Sequence, residues 1–217
     1  MTLYLVRHAE ARHNLPDPAS CPFDPAFAAY EHRDHSLTPE GERQADLTGR
    51  LLSTVSLDAV LVSPYHRTLS TAAAILRHQT VKRPFELSAE LEECGSDHFQ
   101  AMPPAMMRRI YPDILPFSEE TALGHEEDHD RFCRAQRVAE RIRRRFTGKE
   151  SVLVVSHGHF LGFFLTAALL GLSEETARGL CLGARNAGVT RIQYTDSLTI
   201  LDCLNESVHI APLKPLE

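Results

Sequence analysis

Arg7 and His8 stand side by side at the end of a short apolar run, Leu3-Tyr4-Leu5-Val6. Two further apolar runs carry the same residue types: Val152-Leu153-Val154-Val155-Ser156 delivers His157, and residues 57–63 are followed closely by Arg67. Paired arginines and histidines suit phosphoryl transfer. A phosphomonoester carries about two negative charges near neutral pH, and its transfer needs cations on the peripheral oxygens while a nucleophile attacks in line with the leaving oxygen. The planar guanidinium makes two parallel hydrogen bonds to phosphate and stays charged at any working pH, so Arg7 and Arg67 can do the holding. A neutral imidazole nitrogen is a competent nucleophile, and a second, protonated imidazole can donate to the same oxygens. His8 and His157 can divide those roles.

These residues need elements that bring strand ends together. Strand patterns occur at 2–6, 58–62, 152–156, 189–195 and 198–204, alternating with amphipathic helical stretches, which is the pattern of an α/β protein. Such folds place their chemistry at the carboxyl ends of the strands. Thr38-Pro39-Glu40-Gly41-Glu42 opens a helix to about Leu52, with a capping hydroxyl, a proline at the first helical position and acids at the positive helix end. A second helix follows Ser63-Pro64 and runs through Leu76, which puts Arg67 in its first turn beside unpaired backbone N–H groups, a natural anion site. The stretch 152–172 has the length of a membrane span, but Ser156, His157, Gly158 and His159 interrupt it; a strand and then a buried helix account for it. His159 reads as a pocket-wall or helix-start residue. Residues 15–36 and 96–130 break the alternation with prolines, histidines and acids, and are expected to lie over the site. A helix over 126–146 has an apolar stripe at Phe132, Ala135, Val138, Ala139 and Ile142, and its many arginines read as a solvated face.

The 217 residues suit one α/β domain, 1–217, with an insertion. A net charge of −6 argues against nucleic acid or a membrane surface as partner and favours a small molecule. Five scattered cysteines, none in a C-x-x-C spacing, indicate neither a disulfide framework nor a cysteine zinc site. With an opening apolar run too short for a signal peptide, a cytoplasmic setting is expected. His125-Glu126-Glu127-Asp128-His129 satisfies a zinc-protease pattern, yet its flanks are almost all charged, whereas a catalytic zinc helix needs apolar neighbours and a third ligand. No metal or cofactor is therefore expected; contact of His125 or His129 with substrate stays open, as does the oligomeric state.

Several stretches resemble the histidine phosphatase superfamily, the phosphoglycerate mutase-like proteins. They are Leu5-Val6-Arg7-His8-Ala9-Glu10 with Asn14, residues 37–45, Ser63-Pro64-Tyr65-His66-Arg67 and the residues to Ala72, Leu91-Glu92-Glu93, Val154-Val155-Ser156-His157-Gly158, and Asn186-Ala187-Gly188-Val189-Thr190, in the family's order. The resemblance implies a three-layer sandwich: a mixed, mostly parallel sheet with helices on both faces and a cap insertion over 96–130. It implies His8 as the nucleophile that becomes phosphohistidine, with Arg7, Asn14, Arg67 and His157 binding phosphate. Glu93 would protonate the leaving oxygen and then deprotonate water. Glu92 competes for that role, since a slip of one residue turns an extended side chain to the other side. Two departures stand out: Ala9 replaces the usual glycine, which tightens the approach of backbone to phosphate, and the chain has no tryptophan for a mutase-type substrate loop. Hydrolysis of a phosphomonoester is therefore expected, ahead of mutase-type transfer or a phosphate- or phosphoprotein-binding module without turnover.

Overall fold

The structure is a computed structural model that describes residues 1–21, 35–93, 104–112, 126–170 and 182–211. Cys94, His125, Cys181 and most of the expected irregular stretches, 22–34, 96–103 and 113–125, lie outside the described residues. Six strands form one sheet: β1 (Thr2–Arg7), β2 (Ala59–Val62), β3 (Glu86–Leu87), β4 (Ser151–Ser156), β5 (Val189–Tyr194) and β6 (Thr199–Glu206), in the order β3-β2-β4-β1-β5-β6. The ladders β2·β3, β2·β4 and β1·β4 are parallel, while β5 runs antiparallel to both β1 and β6. The expected mixed, mostly parallel sheet is therefore present.

Alternation along the strands explains the layers. Leu3, Leu5, Val152 and Val154 point to one face, where they pack against α4 (Asp128–Arg145) and α5 (Gly158–Leu165) through Val138, Ile142, Phe160 and Phe164. Tyr4, Val6, Leu153 and Val155 point to the other, toward Leu69, Ala72 and Ile75 of α2 (His66–Arg77). Helix α1 (Pro39–Leu51) packs on α2, and a short α3 (Pro104–Ile110) adds buried Met107 to the same cluster.

Helix α1 begins where its sequence predicts. Thr38 Oγ1 accepts from the Gly41 amide at 2.9 Å and donates to Glu10 Oε1 at 2.7 Å, so the cap also ties the helix to the residues after β1. Only glycine fits at 41, because a Cβ there would lie 1.9 Å from the Glu10 carbonyl oxygen. Helix α4 corrects one expectation. Arg131 and Arg134 are buried rather than solvated: Arg134 holds Glu126 through Nε (2.9 Å) and Nη2 (2.6 Å), and its Nη1 donates to the carbonyls of Glu90 (2.6 Å) and Glu92 (2.8 Å). The full guanidinium fork is used inward, which a count of polar positions on a helical face does not register.

Candidate active site

Two parallel ladders, β1·β4 and β2·β4, bring three strand ends level. The parallel pairing continues one step beyond the strands, with the His8 amide donating to Ser156 O (2.9 Å) and the Ser63 amide to Val155 O (3.1 Å). Antiparallel β5 starts at this same edge, so the loop before it also arrives here: the Ala187 amide donates to the carbonyls of Arg7 (3.1 Å) and His8 (3.3 Å). Ala187 takes φ 54, a left-handed conformation unusual for a residue with a Cβ, held by those contacts.

His8 is fully buried, with Nδ1 2.8 Å from Ala9 O. A carbonyl only accepts, so Nδ1 carries the proton and Nε2 presents its lone pair. Nε2 is buried without a hydrogen-bond partner among the described residues. Burial first, then the charges of Arg67 and Arg7, hold the pKa of His8 well below the usual histidine range, so the ring is neutral. Ala9 does not take a positive φ, and its amide donates to Thr71 Oγ1 at 3.0 Å; alanine in place of glycine brings no backbone strain here.

The His157 ring lies 5.3 Å from that of His8. Arg67 Nη2, which can only donate, is 3.1 Å from His157 Nδ1, so Nε2 carries the proton and donates to Ser63 Oγ at 2.8 Å. The expected protonated second histidine is thus a neutral acceptor: burial and the Arg67 charge lower its pKa well below the ordinary value. A phosphate dianion beside Nδ1 would oppose both effects.

Arg67, 1% exposed, lies over the Tyr65 ring at 4.6 Å, and that ring meets His157 edge-on. Arg7 Nη1 donates to Ala184 O at 2.8 Å; burial lowers its pKa, and Glu93 opposes that. Gly158 makes room for it, since a Cβ at 158 would lie 3.2 Å from the Arg7 Cζ, Nε and Nη1 atoms. Glu93 Oε2 is 3.7 Å from Arg67 Nη2 and 3.9 Å from His157 Nδ1, and Oε1 accepts from the His159 amide at 3.2 Å. Glu92 is buried, and its carbonyl is bound by Arg134. The side chain that reaches the arginine and histidine is therefore that of Glu93. Asn14 Oδ1 accepts from the Ala11 amide (3.0 Å) and from Asn186 Nδ2 (3.1 Å), which turns the Asn14 amide donor away from these two bonds.

The six expected site residues thus gather at one sheet edge. Sequence reasoning missed others. His13 has its ring 5.4 Å from that of His8 and again 5.4 Å from His35, and burial, followed by Arg67, lowers its pKa to about 3. Asn186 Nδ2 also donates to His8 O at 3.0 Å. The position of His13 next to Asn14 was the available signal for the first. Asn186 opens a recognised motif, but its hydrogen bonds cross 178 and 172 residues of chain and leave no local trace. His159 is exposed at the start of α5. Of the zinc-protease pattern, Glu126 is engaged by Arg134 and His129 is exposed near Cys133; among the described residues no group of histidines, cysteines and acids is arranged to hold a metal.

A mixed sheet with this strand order, carrying two arginines and two histidines at its carboxyl edge, defines the phosphoglycerate mutase-like class of α/β proteins. The family model of the histidine phosphatase superfamily (branch 1) matches residues 3–207, and the chain belongs to that superfamily. It is 34% identical over 128 residues to an acid phosphatase of Mycobacterium tuberculosis, a match covering 57% of this chain and 59% of that protein. The alpha-ribazole phosphatase from Shigella flexneri shares the fold with a TM-score of 0.66 at 23% identity, over 95% of this chain and 97% of that one. So does the ecdysone phosphate phosphatase from Bombix mori, in complex with tungstate, with a TM-score of 0.71 at 17% identity over 92% and 91%. These relatives are phosphatases.

Proposed function

We propose that this chain hydrolyses small phosphomonoesters through a phosphohistidine on His8, without a metal. The observation that supports this most strongly is the locked tautomer of His8: a buried imidazole whose proton is committed to Ala9 O and whose Nε2 lone pair has no competing donor among the described residues. Nε2 attacks phosphorus and the bond from phosphorus to the leaving oxygen breaks, while Glu93 gives that oxygen its proton. Water then attacks the phosphorus as Glu93 takes a proton back, the N–P bond breaks, and inorganic phosphate and neutral His8 result. Arg7, Arg67 and the Asn14 amide hold the peripheral oxygens, and the two guanidinium charges supply the stabilisation that metal ions give other phosphoryl-transfer enzymes. His157 joins them once its Nδ1 takes a proton in the field of the dianion.

The test is phosphate release from an aryl phosphate in the presence of chelator, comparing the native chain with His8→Ala and following acid-labile phosphate on the protein. Turnover that survives chelation and falls by about 10³-fold or more in the variant supports the reading. Equal turnover in both proteins removes His8 as nucleophile. A phosphoenzyme that outlives the leaving group and returns its phosphoryl group to a second hydroxyl identifies a mutase instead.

A further inference from the structure

Away from the catalytic edge, a cavity of about 390 Å³ opens between the C-terminal half of α2, the segment after it and the end of α3. Its floor is core: Leu76 and Phe85 are buried members of the cluster beneath the sheet, and Ala73, Ile110 and Tyr111 pack against that cluster. The Phe85 and Tyr111 rings stand 6.2 Å apart. Its rim is basic. Arg77, Lys82 and Arg83 line the cavity, and among the described residues no carboxylate does.

Neutral acceptors hold two of these cations in place. Lys82 Nζ donates to the carbonyls of Leu76 and Arg77 at the C-terminal end of α2, the latter at 2.9 Å, and Arg83 Nε donates to Leu57 O at 3.2 Å. Their fixation therefore leaves most of their charge available; among the described residues the carboxylate nearest Arg83 is that of Asp58, at 4.0 Å. In a chain of net charge −6, a fixed positive rim over an aromatic and aliphatic floor is a local exception. The volume falls in the range of small-molecule pockets, and the chemistry is that of a site for an apolar body with an anionic head.

We propose that this cavity binds a small amphipathic monoanion, an aryl or alkyl carboxylate, with its apolar part on Phe85 and Tyr111 and its charge between Arg77 and Lys82. The site is separate from the phosphate-binding edge. Arg67 lies in the first turn of α2, whereas Ala73 and Arg77 lie between one and three turns further along it.

Fluorescence titration of the full chain with anilinonaphthalene sulfonate tests this, with naphthoate as displacing carboxylate. We expect saturable binding of one equivalent, displaced by naphthoate and unaffected by orthovanadate directed at the phosphate site. Arg77→Glu, at an exposed position, should weaken binding about tenfold and leave aryl phosphate turnover unchanged. Ala73→Phe, which fills the cavity, should remove the saturable phase. Absence of saturable binding, displacement by orthovanadate, or equal affinity in both variants and the native chain would overturn the proposal.

Discussion

Arg7 reaches the carboxyl edge of the sheet with little freedom. Its Nη1 is fixed on Ala184 O and its guanidinium lies against the first residue of α5, where the missing side chain of Gly158 leaves just enough space. Under the proposed mechanism this contact aims the fork at the phosphoryl oxygens, a form of positioning in which small displacements are costly. Gly158→Ala should therefore lower kcat/KM by about tenfold while moving Tm by no more than about 2 °C. Steady-state kinetics and thermal melts read the two effects separately; unchanged kcat/KM would mean that Arg7 is aimed by other contacts. Arg7, His8, Arg67 and His157 were legible because each follows a strand end or opens a helix, places where main-chain direction and side-chain type act together. The tautomers were not legible, since the Ala9 carbonyl, the Arg67 guanidinium and the Ser63 hydroxyl decide them only in the folded chain.

Elements differ in how openly their sequences announce them. β1, β2 and β4 are apolar on both faces because helices cover both, and their runs are unmistakable. β3, only Glu86–Leu87, has no pattern of its own and exists because β2 offers a free edge beside it. The burial of Arg134 was likewise hidden. That side chain joins α4 to the segment carrying Glu92 and Glu93, with Glu126, only 12% exposed, as its counter-ion. Arg134→Met would take the guanidinium away from the Glu126 carboxylate and leave the carbonyls of Glu90 and Glu92 without this donor, at a cost of about 3 kcal/mol. The same change loosens the backbone that presents Glu93, so kcat should fall with KM nearly unchanged. Urea midpoints and initial rates measure both, and a destabilised variant with native kcat would show that Glu93 is held from elsewhere.

On the scale of the whole molecule, the histidine-rich carboxyl edge of the sheet sets the response to acid. His8, His13 and His157 are all kept neutral by burial, with Arg67 the next cause in each case, and for His13 the pKa falls to about 3. The unfolded chain takes up these protons near pH 6.5 and the folded chain does so only at lower pH. Between those values the unfolded state binds more protons, so stability is greatest above pH 6.5 and is lost as pH falls toward the folded values. Each histidine contributes a slope of up to about 1.4 kcal/mol per pH unit in that window. Denaturant midpoints measured from pH 7.5 down to pH 5 should show the loss, and His13→Asn should flatten it; a pH-independent midpoint would mean that the rings take up protons at the same pH in the folded chain as in the unfolded one. Net charge gave no hint of this, because a total of −6 conceals a positive, histidine-rich edge.

The seating of β4 between β1 and β2 has a wider consequence. Because the distances among His8, His157 and the start of α2 follow from two main-chain ladders, they do not depend on which side chains fill the layers above and below. Under the proposed function, substitutions in the helices can drift and the substrate can change while the reacting centre stays in register. Inheritance of the chemistry is thereby uncoupled from inheritance of the substrate.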